Sequence, residues 1–149
     1  MTDLSFIASG TIDLVISMSA IDYVKDFEKV CREVSRVLNR GGRFVFCTTH
    51  PIMGCVAATE LFPEENAPPN YDYRGPITWK WHKEDDFIFT TYRRQLSDYV
   101  NALAGNHLMI KRMEELFPIS PLPEDNEWDE KELAIRTRFP SVLVVDAVK

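Results

Sequence analysis

The sequence predicts an α/β fold built on an open sheet with a parallel core, and three observations carry that prediction. Ile12, Leu14, Val15 and Ile16 form a near-continuous apolar run, the pattern of a strand buried on both faces of a parallel sheet. Phe27, Val30, Val34, Val37 and Leu38 recur at three- and four-residue spacing, so residues 26–38 carry one apolar helical face, with Lys29, Arg32, Glu33 and Arg36 mostly elsewhere. Gly41-Gly42 supplies the positive φ that stops such a helix, and residues 43–48 extend again. Strand, helix and strand of these lengths make a right-handed βαβ unit, whose ligands sit beyond the carboxyl ends of its strands. Here those ends are residues 17–23 and 48–54.

The elements follow in order. Residues 1–11 read as a loop entering the first strand, with Ser9-Gly10-Thr11 as the turn. Asp26 suits an N-cap, Glu28 the first turn, and Arg36 and Arg40 the negative end of the helix dipole. After His50-Pro51, residues 56–62 suggest a short helix, and residues 63–76 hold four prolines in an exposed loop. Residues 77–82 and 87–94 are rich in apolar and aromatic side chains and split by Lys83-Glu84-Asp85-Asp86, which predicts a hairpin. Ser97 is expected to cap a helix through Ala104, with Tyr99, Val100 and Leu103 on one face and Gly105-Asn106 ending it. Residues 108–116 read as a strand, residues 130–138 as a short helix, and residues 141–148 as a last strand, nearly all β-branched.

A chain of 149 residues is one domain by length and can bury roughly 68–70% of its unfolded surface. Hydrophobic content of 45% and charged content of 27% are those of a globular protein. The excess of 23 acidic over 17 basic residues, net charge −6, argues against nucleic acid or an anionic membrane as partner. Cys31, Cys47 and Cys55 form no CxxC pair and suit apolar packing in a reducing cytoplasm. His82 and His107 lack acidic or cysteine neighbours at ligand spacing, so no metal site is expected.

The segments SGTIDLVIS, DYV, REVSRVLNRGGRFVF and HP, in this order and spacing, resemble the second half of a class I S-adenosylmethionine-dependent methyltransferase, of the small-molecule group typified by ubiquinone-biosynthesis enzymes. The resemblance implies a partial Rossmann-like methyltransferase sheet with a parallel βαβ core, an antiparallel final strand pair and an inserted cap hairpin at about residues 55–95. It makes residues 1–149 a single incomplete domain that starts in the middle of the fold. The family's glycine-rich cofactor loop and ribose acid have no counterpart in these residues, so weak or absent binding of S-adenosylmethionine by this chain alone is expected. Leu4-Ser5-Phe6 matches the end of the family's adenine-contacting segment, which leaves Asp3 in the adjacent register.

The same resemblance assigns Ser17, Met18, Ser19 and Ala20 to the main chain passing the cofactor sulfur and methyl group. Asp22 is a candidate polar contact to cofactor or substrate, with Tyr23 beside it as core packing. His50 follows a strand's carboxyl end, where an imidazole can act as a base; alternatively its Nδ1 binds a backbone group and shapes the turn before Pro51. Tyr71, Trp79, Trp81 and Tyr92 either wall an apolar acceptor pocket or simply pack at strand spacing. Arg94, with Arg93, either clamps an anionic group or lies at a solvated edge. The implied activity is methyl transfer to a small-molecule acceptor; the rivals are a truncated, non-catalytic interaction module and a nucleotide-binding α/β protein of another family. Because the resembled sheet has a further strand beside residues 12–18, their outer edge is expected to pair with a second copy in a homodimer.

Overall fold

The computed structural model describes residues 2–56, 70–81, 87–118 and 129–149, and of residues 79–81 and 87 only the main chain. In order along the chain stand β1 (Ile12–Met18), a single 3-10 turn (Ile21–Tyr23), α1 (Phe27–Val37), β2 (Leu38–Thr49), α2 (Pro51–Val56), β3 (Gly75–Trp81), β4 (Phe87–Arg93), α3 (Leu96–Gly105), β5 (Met109–Leu116), α4 (Glu130–Arg136) and β6 (Val142–Val148). Four strands form one sheet in the order β1-β2-β6-β5. β1 and β2 are parallel, with Val15 beside Phe44 and Ser17 beside Phe46. β6 runs antiparallel to both neighbours, bringing Ala147 beside Phe44 and Val145 beside Phe46. The parallel core and the antiparallel final pair are therefore as the sequence predicts, and β3 and β4 form the separate antiparallel hairpin.

α1 and α3 cover one face of the sheet. Phe27, Val30 and Val34 of α1 and Tyr99 and Leu103 of α3 join Phe44, Phe46, Val145 and Ala147 in one buried cluster. The Phe27 ring meets Phe46 at 5.5 Å and Tyr99 at 5.1 Å between centroids, both edge to face. Asp26 caps α1 by accepting the Lys29 N–H at 2.9 Å, as expected.

Several local expectations are corrected. α1 ends at Val37 rather than at the glycine pair, because its last carbonyls find partners elsewhere: Arg36 O accepts from Gly10 N–H at 3.0 Å and Val37 O from Thr11 N–H at 2.9 Å. Gly41, at φ 81°, instead lies within β2, and a Cβ at Gly42 would stand 3.1 Å from the Ile12 carbonyl oxygen. The N-cap of α3 is Gln95 and not Ser97, with Gln95 N–H donating to Asp98 at 2.8 Å, and Val100 points away from the cluster that buries Tyr99 and Leu103. Residues 51–56 are helical, and the remainder of the helix expected over 56–62 lies outside the described residues.

β1 departs most from expectation. Leu14, Ile16 and Met18 are 47%, 59% and 68% exposed, whereas Ser17 between them is buried. The expected burial on both faces is thus realised on one. Cys31, Cys47 and Cys55 are thiols rather than disulfide partners, and all three are buried. Among the described residues, no helix is long and apolar enough to cross a membrane.

Candidate functional site

The carboxyl ends of β1 and β2 lie side by side, since parallel pairing carries Met18 alongside Cys47. Just beyond β1, Ser19 adopts φ 50° and donates its N–H to the Cys47 carbonyl at 3.1 Å. A left-handed serine is a conformation that only surrounding structure enforces, and such positions gather at functional sites. The 3-10 turn then returns the chain over the end of β2, where Asp22 accepts the Thr49 N–H at 3.0 Å, the Thr49 hydroxyl at 3.1 Å and the Thr48 hydroxyl. With the Thr48 proton directed to Asp22, the Tyr99 hydroxyl is left to donate to Thr48 Oγ1 across 3.3 Å. Burial pushes the Tyr99 phenol above its ordinary pKa.

His50 is 6% exposed and uses both ring nitrogens. Nδ1 accepts the Ile52 N–H at 3.1 Å, so Nδ1 carries no proton, and Nε2 lies 2.8 Å from Glu115 Oε1 of β5, where it donates. Its main-chain N–H donates to Ser141 O at 2.9 Å, tying the end of β2 to the loop before β6. The backbone-bonding alternative is the arrangement observed. Proton abstraction by this imidazole requires the Ile52 bond to open first.

The hairpin supplies the opposite wall. Phe89 of β4 lies 6.0 Å from the Tyr23 ring, and a cavity of about 290 Å³ remains between the hairpin and the strand ends. Ser19, Asp22, Thr49 and His50 line one side of it, and Phe89, Thr91, Tyr92 and Arg93 the other. Arg94 reaches it too, but both its terminal nitrogens are taken up by main-chain carbonyls: Nη1 donates to Ile21 and Tyr92, Nη2 to Val24 and Lys25. It is not arranged as a substrate clamp. Arg93 donates from Nη2 to Cys55 Sγ and to the Asn70 carbonyl. Burial raises the Cys55 thiol's pKa despite the guanidinium.

Sequence reasoning thus brought Ser19, Asp22, His50, Tyr92 and Arg94 to one cavity, and not Ser17, Met18, Ala20 or Tyr71. Ser17 is buried in the sheet, Met18 is exposed on the side away from α1, and Ala20 stands exposed at the start of the 3-10 turn. Tyr71 accepts the Leu96 N–H at 3.1 Å and so secures the start of α3, outside the cavity. The side chains of Trp79 and Trp81 lie outside the described residues. The reasoning missed Thr48, Thr49, Phe89 and Glu115 as site residues and read Tyr99 as packing alone. The two threonines carried a signal, since they directly precede His50 at a strand's carboxyl end; Glu115 carried none, because antiparallel pairing through β6 is what brings it close.

Residues 1–46 match the protein family described as a methyltransferase domain. No curated protein matches the chain. Among solved structures it is similar to a Listeria monocytogenes protein assigned to the S-adenosylmethionine-dependent methyltransferases, with TM-score 0.71 and 22% identity over 96% of this chain and 63% of that one. A second, an S-adenosylmethionine-dependent methyltransferase from Mesorhizobium loti, gives TM-score 0.69 and 26% identity over 96% of this chain and 64% of that one. A third is the geranyl diphosphate C-methyltransferase of Streptomyces coelicolor, solved with Mg2+, geranyl diphosphate and S-adenosyl-L-homocysteine (TM-score 0.61, 15% identity, 99% of this chain and 51% of that one). The chain therefore spans 63–64% of the length of the first two neighbours. The fold is that of S-adenosylmethionine-dependent methyltransferases, and S-adenosylmethionine is the cofactor for which these neighbours are named.

Proposed function

We propose that this chain forms the acceptor- and methyl-facing part of a class I S-adenosylmethionine-dependent methyltransferase that acts on a small molecule. The observation that carries this reading is the cavity at the carboxyl ends of β1 and β2, walled by the hairpin, in a chain with this fold. A volume of about 290 Å³ stands at the lower limit of the ~300–1,000 Å³ typical of small-molecule sites. It suits the reacting ends of two molecules and not a whole nucleoside with its acceptor.

S-adenosylmethionine supplies an electrophilic methyl group on a sulfonium, which leaves alignment as the protein's main contribution, up to roughly 7–11 kcal/mol for well-oriented reactants. Ser19 fits the methyl-facing position: its side chain is small and exposed, it lines the cavity, and Ala20 next to it is also small. Asp22 holds that turn to Thr48 and Thr49. Tyr92 and Phe89 supply apolar wall for the acceptor. His50, with Nδ1 committed to Ile52, shapes the strand-end loop.

A second reading, a non-catalytic interaction module, is favoured by the exposed row Leu14, Ile16 and Met18. Both readings share a homodimer in which the free edge of β1 meets a second copy about a two-fold axis, since burying each such side chain contributes roughly 1.5–3 kcal/mol. The buried thiols suit the reducing cytoplasm.

Titration calorimetry of the chain with S-adenosylmethionine, NAD+ and ATP tests the assignment. We expect S-adenosylmethionine to bind more weakly than micromolar yet more tightly than either nucleotide. A nucleotide binding more tightly than S-adenosylmethionine would overturn it in favour of another nucleotide-binding α/β family.

A further inference from the structure

Arg94 follows the last residue of β4 and reaches back to the loop beyond β1. Nη1 donates to the Ile21 carbonyl at 3.3 Å and to Tyr92 at 3.2 Å; Nη2 donates to Val24 and, at 3.2 Å, to Lys25. Its guanidinium carbon lies 5.7 Å from the Phe27 ring centroid and 6.0 Å from that of Tyr99. One planar cation therefore satisfies three carbonyls of the segment 21–25 and one of β4, while its faces rest on α1 and α3. An ammonium, with three hydrogens on a single nitrogen, cannot copy this forked geometry.

That segment holds the floor of the cavity in place. It carries Asp22, which accepts the Thr49 N–H across the strand ends, and Tyr23, whose ring faces Phe89 of the hairpin. We propose that Arg94 is the positioning residue of the candidate site: it locks segment 21–25 against the end of β4 and so sets the separation between the cavity's two walls, without donating to a bound molecule. The inference rests on reading this cavity as the binding site, and it changes what that site recognises. An acceptor held here does not need a carboxylate or phosphate to engage Arg94, since both terminal nitrogens donate to the protein's own main chain.

Amide hydrogen exchange on the full chain without any ligand tests this separately from the functional reading, which the titrations address. In Arg94→Met, the amides of Val24, bonded to Ile21 O, and Thr49, bonded to Asp22, should exchange at least tenfold faster, while those in the middle of α1 and in β6 keep their rates. Thr49 is the decisive probe because Arg94 does not touch it. Arg94→Lys, which keeps the charge and loses the planar fork, should show a smaller increase at the same two amides with an unchanged unfolding midpoint. In Arg94→Ala, millimolar guanidinium should slow Thr49 exchange again, whereas ammonium should not. Wild-type rates at Thr49 in Arg94→Lys, or rates that rise equally throughout the chain in Arg94→Met, would overturn the proposal.

Discussion

The two faces of the four-stranded sheet both carry apolar side chains and meet opposite surroundings, and the more exposed one also bears the Arg43–Asp146 ion pair. On one, Val15, Phe44, Phe46, Val145 and Ala147 lie under α1 and α3. On the other, Leu14, Ile16 and Met18 stand largely in solvent, with Val45 and Val144 half-buried beside them. Residues one position apart in β1 thus differ only in which way the pleat turns them. The difference shows that an apolar run makes a strand compatible with burial on both faces, while tertiary structure decides which face is buried. It also divides the molecule: the covered face supplies the core beneath α1 and α3, and the other, the bare face, exposes the β1 side chains.

The largest expected effect separates the faces by stability. Phe46→Ala removes a fully buried ring and should cost about 3–5 kcal/mol, whereas Ile16→Ala should cost less than about 1 kcal/mol. Urea denaturation of both variants checks this, and equal losses would mean that the bare face is covered in solution. Next comes a pH effect confined to the covered face. Burial pushes the Cys31 thiol up from 9.0 to about 12. The unfolded thiol therefore loses its proton first as pH rises past 9.0, so the folded state is stabilised fully below that value and loses roughly 2–4 kcal/mol as pH approaches 12. Denaturation midpoints should fall over this window in the wild type and fall less in Cys31→Ala; a parallel fall in both would remove Cys31 as the cause. The smallest effect on stability, within about 0.5 kcal/mol, is expected for Ile16→Lys. That substitution should nonetheless convert a dimer to a monomer in light scattering, and a wild-type monomer would show that the β1 edge does not associate.

The covered face was legible in the sequence because helical spacing at Phe27, Val30 and Val34 and β-branched residues near the C-terminus reflect local geometry. So was the neighbourhood of the site, since strand ends follow from the strands themselves. The bare face was not legible: the run at Leu14 to Ile16 records hydrophobicity and carries no information about which neighbours are present. Side-chain roles within the site were hidden for a related reason. Whether Asp22, His50 and Arg94 face a ligand or the protein depends on Thr49, Ile52 and the carbonyls of segment 21–25, whose approach is set by the fold rather than by spacing. In each case a charged or titratable group that looks available in sequence is engaged by the protein's own polar atoms, a main-chain group among them.

The central claim, that the cavity at the carboxyl ends of β1 and β2 receives the reacting end of the cofactor, is tested most directly by amide chemical-shift mapping with millimolar S-adenosylhomocysteine. Weak, saturable shifts centred on Ser19, Ala20, Thr49 and Phe89, with the bare-face amides of Met109 and Leu116 unmoved, are the predicted result. Shifts confined to the bare face, or none at millimolar ligand, would contradict the account.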